Sequence, residues 1–368
     1  MGITFEDYDL GFKYVSLALS ENARDELLGR GLNVLYAERE SLLLCPEMVK
    51  LSANRESIEQ ILCHKSFDVF SIWENGSLHL EYDDASNDNY LFVTGRCNSN
   101  CIMCPSPEWA RMHSPMANID DKIEFIRYIP SDLGHLTITG GEPFLAGEEL
   151  FKLLRILRDG FKATEFLFLT NGRIFALEKY ANLLLETKPL NMLMAIPLHG
   201  SCATLHDQIT RTSGSFDQTV CGIENLLARG VPIELRLVVS RLNASDFSHM
   251  TDFILAKFKG IMYVSIIAME MTGTARANRD AVWIPYGEAF RAVRVSIQKL
   301  LMGGIDVKLY NFPLCTVDRG YWTLCEKSIA PSKVQFDNKC QSCSYRKACG
   351  GVFAGTLGLV RDELEPQS

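Results

Sequence analysis

From residue 89 onward the chain alternates short apolar runs with amphipathic stretches. The runs 90–94, 135–139, 165–170, 191–198, 232–240 and 262–269 have the length and the largely apolar texture of strands covered on both faces. Between them, 121–128, 148–158, 176–186, 216–229 and 246–258 place apolar residues at helical spacing. Helical crossovers of this length make successive strands parallel neighbours. Six strand-helix units in a row predict an α/β fold, an open or partial (β/α)6 barrel of the TIM type. In such a sheet the loops at the carboxyl ends of the strands line the ligand-binding mouth.

The flanks read differently. Residues 1–88 mix polar and apolar positions, with strand-like runs at 13–19, 32–37 and 70–73, a helical stretch at 56–62 and an acidic linker at 83–88. This predicts a small N-terminal α+β domain with a docking or capping role; a peptide-recognition role is a hypothesis for it. After residue 270 the pattern loosens into loops, one helix at 286–302 and a cysteine-rich tail. The expected division is therefore 1–88, 89–270 and 271–368.

Composition narrows the function classes. The 368 residues are 47% apolar and carry 37 Lys plus Arg against 45 Asp plus Glu, a formal charge of −8. That excludes a disordered polymer and gives no general attraction to nucleic acid or anionic lipid. Glu6, Asp7 and Asp9 stand where a secretion signal needs a basic flank and an apolar run, and no stretch of about eighteen apolar residues occurs. The expectation is a cytoplasmic protein that keeps its thiols reduced.

Twelve cysteines in a reducing compartment point to metal before disulfide. Cys45, Cys63, Cys202 and Cys221 are solitary. Cys97, Cys101 and Cys104 form one cluster, and Cys315, Cys325, Cys340, Cys343 and Cys349 form another. The first cluster puts three soft ligands on one loop directly after the first strand. Gly140-Gly141-Glu142-Pro143 follows the second strand, and Thr170-Asn171-Gly172 ends the third. All three point at one mouth. Thiolates select zinc or iron-sulfur centres, and both want four ligands. His113 would complete a Cys3His zinc site; the alternative is a [4Fe-4S] cluster with one open iron.

The Cys97-x3-Cys101-x2-Cys104 loop, together with Gly140-Gly141-Glu142-Pro143, resembles the radical S-adenosylmethionine (SAM) superfamily. The resemblance implies that the three cysteines hold a [4Fe-4S] cluster whose open iron chelates SAM. Met103 stands where that family usually has an aromatic residue and would pack beside the adenine. Gly140 and Gly141 would bring backbone carbonyls to the SAM amino group, Glu142 would help hold that ammonium, and Pro143 would stiffen the turn. Ser201 in His199-Gly200-Ser201 is the candidate for the ribose, and Arg211 in the stretch from His206 for the carboxylate, which a planar guanidinium suits. Helix capping and solvation are the plain alternatives for these two. Val239, Ser240 and Met269 are candidate adenine walls by position.

In the tail, Cys340-x2-Cys343-x5-Cys349 resembles the SPASM and twitch extensions of peptide-modifying radical SAM enzymes. Phe353 stands in place of a further cysteine. Two auxiliary clusters need eight ligands and the tail has five, so one auxiliary [4Fe-4S] cluster on Cys315, Cys340, Cys343 and Cys349 is the economical count, with Cys325 spare or substituting. A zinc ribbon is the alternative, since C-x2-C is equally a zinc knuckle.

Asn311-Phe312-Pro313-Leu314-Cys315, Lys327-Ser328-Ile329 and the final cysteines resemble the maturases of His-Xaa-Ser peptide systems. That likeness implies reductive cleavage of SAM to a 5′-deoxyadenosyl radical and hydrogen abstraction from a ribosomally made precursor peptide. The expected partners are that peptide, an electron donor such as flavodoxin or ferredoxin, and a partner maturase. His199, His206, Tyr310 and Cys325 are candidates for later proton or hydrogen transfer. The competing readings are a radical SAM enzyme for a small metabolite, which predicts a closed pocket, and a noncatalytic protein stapled by zinc.

Overall fold

The computed structural model describes residues 12–39, 41–51, 53–73 and 75–368, so the reading of residues 1–10 lies outside the described residues. The N-terminal part is one sheet of β1 (Tyr14–Ala18), β2 (Val34–Ala37), β3 (Leu42–Cys45), β4 (Val49–Leu51), β5 (Val69–Ile72) and β6 (Leu78–Tyr82). Its order is β4-β3-β2-β1-β5-β6, with β1 and β2 parallel across the helix Glu21–Gly29 and the other pairs antiparallel. The Ser20 side chain caps that helix by accepting from the Ala23 N–H. Period-two alternation splits β1 between two cores. Val15 and Leu17 pack with Ile58 and Ile61 of the helix Arg55–Leu62, whereas Tyr14 and Ala18 join the main core. Tyr14 donates to Asp121 at 3.0 Å beside the Lys13 ion pair, and Asn33 donates to the Tyr128 hydroxyl at 2.9 Å.

The second sheet runs β7 (Tyr90–Phe92), β8 (His135–Thr139), β9 (Glu165–Leu169), β10 (Asn191–Pro197), β11 (Ile233–Val239), β12 (Tyr263–Ala268), β13 (Asp306–Tyr310) and β14 (Cys325–Glu326), in sequence order and parallel throughout. Its outward residues, such as Ile138, Phe168, Met194, Leu235, Ile266 and Leu309, have no exposed surface and meet the crossover helices. Burying each is worth roughly 1.5–3 kcal/mol.

The six predicted units are present, but the sheet does not stop at residue 270. Helix Tyr286–Met302 is a further crossover, and β13 pairs parallel with β12 from Tyr263↔Asp306 to Ile267↔Tyr310. Strand β13 escaped a search for apolar runs because it alternates: Val307 and Leu309 face the helices, while Asp306, Lys308 and Tyr310 face inward. Short helices at Glu108–His113 and Ala203–Thr210 also went unpredicted. Among the described residues no helix is long and apolar enough to cross a membrane.

Candidate functional site

The exits of β7, β8 and β9 are stitched to one another. Gly141 donates its N–H to the Thr94 carbonyl at 2.7 Å, and Glu142 to the Arg96 carbonyl at 2.8 Å. A Cβ on Gly140 would lie 2.4 Å from the Thr94 oxygen, and one on Gly141 2.2 Å from the Arg96 oxygen. The expectation was that these glycines admit a ligand. What the geometry shows is that they admit the backbone leading into Cys97.

Glu142 is buried at the centre of this seam. Its carboxylate accepts from the Phe144 N–H at 3.0 Å, the Thr170 hydroxyl at 2.7 Å and the Asn171 N–H at 2.6 Å. Burial pushes its pKa up, and those donors oppose the shift. Three of about four acceptor positions are thus spent inside the protein. The position expected to hold a ligand's ammonium instead ties β8 to β9, with one acceptor position over. Glu142→Gln turns an NH2 group toward these donors and is expected to destabilise the fold by about 1–3 kcal/mol, read by denaturant unfolding. The seam continues to the cysteine loop: the Asn171 amide donates to Asn98 at 2.7 Å, and Arg173 to the Asn98 carbonyl at 2.6 Å and the Ser99 hydroxyl at 3.0 Å.

The other side of the loop is clasped by segments distant in sequence. Asn100 and Ile102 donate their N–H groups to the carbonyls of Thr210 and Ile209, at 3.0 and 2.9 Å. After β12, Thr272 and Thr274 donate to the Pro105 and Ser106 carbonyls, and Ala275 donates to that of Cys104. Gly273 has φ +51°, and a Cβ there would lie 2.2 Å from the Pro105 oxygen. Residues 272–278, assigned from sequence to the tail, therefore belong structurally to the first cysteine loop.

Within the loop, burial pushes Cys97 up to about 11 and Cys101 up to about 12, and the neighbouring thiols add to both shifts. The Ser99 N–H donates to the Cys97 sulfur at 3.4 Å. Among the described residues no three His, Cys, Asp or Glu side chains converge on a point that a single ion would need. His113 is exposed, its Nδ1 3.0 Å from the Trp109 carbonyl and its ring stacked on Trp109, so it does not complete a Cys3His set.

Met103 and Met269 are buried beside the mouth, whereas Val239, expected as an adenine wall, is buried on the same outward face of β11 as Leu235 and packs toward the helices. Ser240 is buried too, but its hydroxyl and N–H both go to Asn243, at 2.9 and 2.8 Å. Ser201 donates its hydroxyl to Asp246 at 2.8 Å. Arg211 is exposed, with φ +50°, and reaches Asn278 at 3.0 Å. Ser201 and Ser240 are thus held by the protein, while Arg211 is exposed to solvent.

The buried pair His199 and His206 is neutral: burial lowers them to about 3 and about 4, and the His206 Nδ1 accepts from the His199 N–H at 3.2 Å. Unfolded histidine takes its proton near pH 6.5, so the unfolded chain binds more protons below that pH. Stability is expected to be full above pH 6.5 and to fall progressively toward pH 4. Thermal melts across that range check it, with a shallower slope for His199→Asn.

Sequence reasoning missed the inner wall of the barrel. Glu234, fully buried, pairs with Arg236 at 2.9 Å and accepts from the Tyr263 hydroxyl at 3.3 Å. Arg236 lies 5.7 Å from the Tyr310 ring centroid and Lys308 4.5 Å from that of Tyr263. Period-two alternation on β11 to β13 was the available signal, hidden because the outward positions are so apolar.

In the tail, Cys315, Cys340, Cys343 and Cys349 line one apolar cavity closed by Leu364 and Pro366. The Gly351 and Gln367 N–H groups donate to the sulfurs of Cys349 and Cys343, each at 3.4 Å. Cys325 lies outside that lining, on β14, with its thiol 3.9 Å from the Tyr321 carbonyl. On the expectation of one auxiliary [4Fe-4S] cluster at this lining, Cys315→Ala would cost about four irons per chain and Cys325→Ala none, by iron analysis of reconstituted protein.

Residues 91–254 match the family model described as the Radical SAM superfamily. The chain is 26% identical over 183 residues to an AdoMet-dependent heme synthase of Methanosarcina barkeri, covering 49% of this chain and 50% of that one. It is 27% identical over 192 residues to a GTP 3',8-cyclase of Petrotoga mobilis, covering 50% and 57%. The chain thus spans little more than half the length of these curated relatives. The crystal structure of Streptococcus suis SuiB bound to S-adenosylmethionine shares the fold at 13% identity and TM-score 0.50, covering 77% of this chain and 57% of that one.

Proposed function

This chain carries a radical SAM superfamily domain, and from that premise we propose that it modifies a ribosomally made precursor peptide by hydrogen abstraction. In this reading Cys97, Cys101 and Cys104 hold a [4Fe-4S] cluster with one open iron, and Cys315, Cys340, Cys343 and Cys349 hold an auxiliary cluster. With SAM on the open iron, the bound pair supplies reductive cleavage to a 5′-deoxyadenosyl radical. The chain's own residues do the rest. The Glu142 seam and the 272–278 clasp hold the cysteine loop rigid against the strand ends. Met103 and Met269 offer an apolar wall, and Arg211 an open guanidinium for a carboxylate. On the inner wall, Tyr310 at the carboxyl end of β13 is placed to offer a polar contact to the residue being modified. A flavodoxin or ferredoxin would supply electrons.

The observation that carries the peptide reading is a cleft of about 720 Å³ that opens over the tail. Asp88 borders it from the N-terminal side, and Lys327, Arg346, Lys347, Cys343 and Cys349 from the other. An extended chain can lie in such an open cleft, although its volume alone would equally suit a small molecule. The likeness of the tail to the maturases of His-Xaa-Ser systems supports the same substrate class. The small-metabolite reading draws on the relatives' names, which concern heme and GTP.

Anaerobic reconstitution tests the scheme. Two cubes predict brown protein with about eight irons, 5′-deoxyadenosine formed on reduction with SAM, and a mass change in a co-expressed neighbouring precursor peptide. Colourless zinc protein would reject the chemistry. SAM cleavage with no peptide altered, but with turnover of a small molecule, would replace the substrate class.

A further inference from the structure

Arg111 lies in the short helix after the cysteine loop and is 2% exposed. A buried guanidinium ordinarily faces a carboxylate. Here its hydrogen bonds go to neutral oxygens: Nη1 to the Ser106 carbonyl and to the Thr274 hydroxyl at 3.1 Å, and Nη2 to the Asn100 side chain at 2.6 Å. Nε is buried with no partner among the described residues. The acceptors belong to the cysteine loop, its continuation and the clasp that covers it, and the Arg111 carbonyl accepts from the Cys97 N–H at 3.3 Å. Among the described residues no carboxylate pairs with it directly; Glu108 is reached only through the Asn100 side chain, which binds both. A full positive charge kept from water in this way is unfavourable, so this arrangement calls for an anionic group beside it.

Resting on the reading that this loop holds a [4Fe-4S] cluster, we propose that Arg111 is the buried counter-cation of that cluster and raises its reduction potential. Three thiolates around the cube give an anion that grows more negative when an electron arrives. A fixed cation in a low-dielectric setting therefore stabilises the reduced form more than the oxidised one. Arg111 touches no reacting atom; it is a positioning residue that acts through the cluster. The Nε–H is left without a partner among the described residues, and the fork that spans Asn100, Ser106 and Thr274 keeps the charge in place.

The test is a redox titration of the reconstituted full chain, followed by electron paramagnetic resonance on the signal that changes when SAM is added. Arg111→Gln is expected to lower the ratio of reduced to oxidised cluster at a fixed potential about tenfold, equivalent to about 59 mV for one electron. Arg111→Lys keeps the charge but breaks the fork, and is expected to stay near the native potential. An unmoved potential in Arg111→Gln, equal displacement in both variants, or loss of the cluster from both would overturn the proposal and leave Arg111 a structural clasp. Should Arg111→Gln alone fail to load iron, a native potential in Arg111→Lys supports the proposal, because charge is what separates the two. A native protein with no SAM-responsive signal would sink the cluster reading itself, an outcome distinct from a native signal that the variants leave untouched.

Discussion

Cys101→Ala is expected to abolish reductive cleavage of SAM and to remove about four of about eight irons, while Cys202→Ala changes neither. The contrast follows from where the two thiols stand. Cys202 is exposed at the N-cap of the helix Ala203–Thr210, with nothing gathered around it. Cys101 lies mid-loop, where Cys97 and Cys104 both act on its thiol and burial pushes it up to about 12. A buried thiol of that kind is inert by itself and becomes a ligand only when a metal takes the place of its proton. Alanine leaves the neighbouring pair one short, and a cube held by two protein ligands is not retained. Iron analysis and quantification of 5′-deoxyadenosine measure the effect. Native iron content in Cys101→Ala would show that the loop is not the cluster's seat.

Much of this arrangement was legible in the sequence because the chemistry sits where strand signals are strongest. Strand β8 and the helix Tyr286–Met302 fall on their predicted residues, and the other core elements agree within a few residues at each end. Strands buried on both faces advertise themselves, and the residues that follow them are then placed at the mouth without further information. The same rule explains the misses. β13 and the inner wall alternate polar with apolar residues, and β3, β4 and β6 are short strands outside the six-unit core pattern. Long-range clasps left no local signature. Nothing near Thr272 or Thr274 reveals that they reach Pro105 and Ser106, and a buried arginine without a carboxylate is indistinguishable in sequence from a solvated one.

The surroundings of the two glycines assign them a packing role at the strand exits. Gly141→Ala is expected to destabilise the protein by roughly 1–3 kcal/mol, the cost of forcing extra volume into a packed site, and to weaken SAM binding. The added carbon would stand 2.2 Å from the Arg96 oxygen and 2.5 Å from the Gly95 oxygen, both backbone atoms that cannot swing aside. The turn must therefore lift off the strand exit, breaking the bonds from Gly141 to Thr94 and from Glu142 to Arg96. That displacement passes to Asn171 through Glu142 and to the cysteine loop through Arg96. Gly160→Ala is the matched control, since it ends the helix Glu148–Gly160 with nothing within 4 Å of the new carbon. There the gain in helix propensity and the smaller entropy of the unfolded chain are expected to leave stability unchanged or about 0.5–1 kcal/mol higher. Denaturant unfolding and SAM titration on both variants separate the cases. A Gly141→Ala protein as stable as Gly160→Ala, with SAM affinity intact, would mean that the seam gives way freely and does not set the geometry of the mouth.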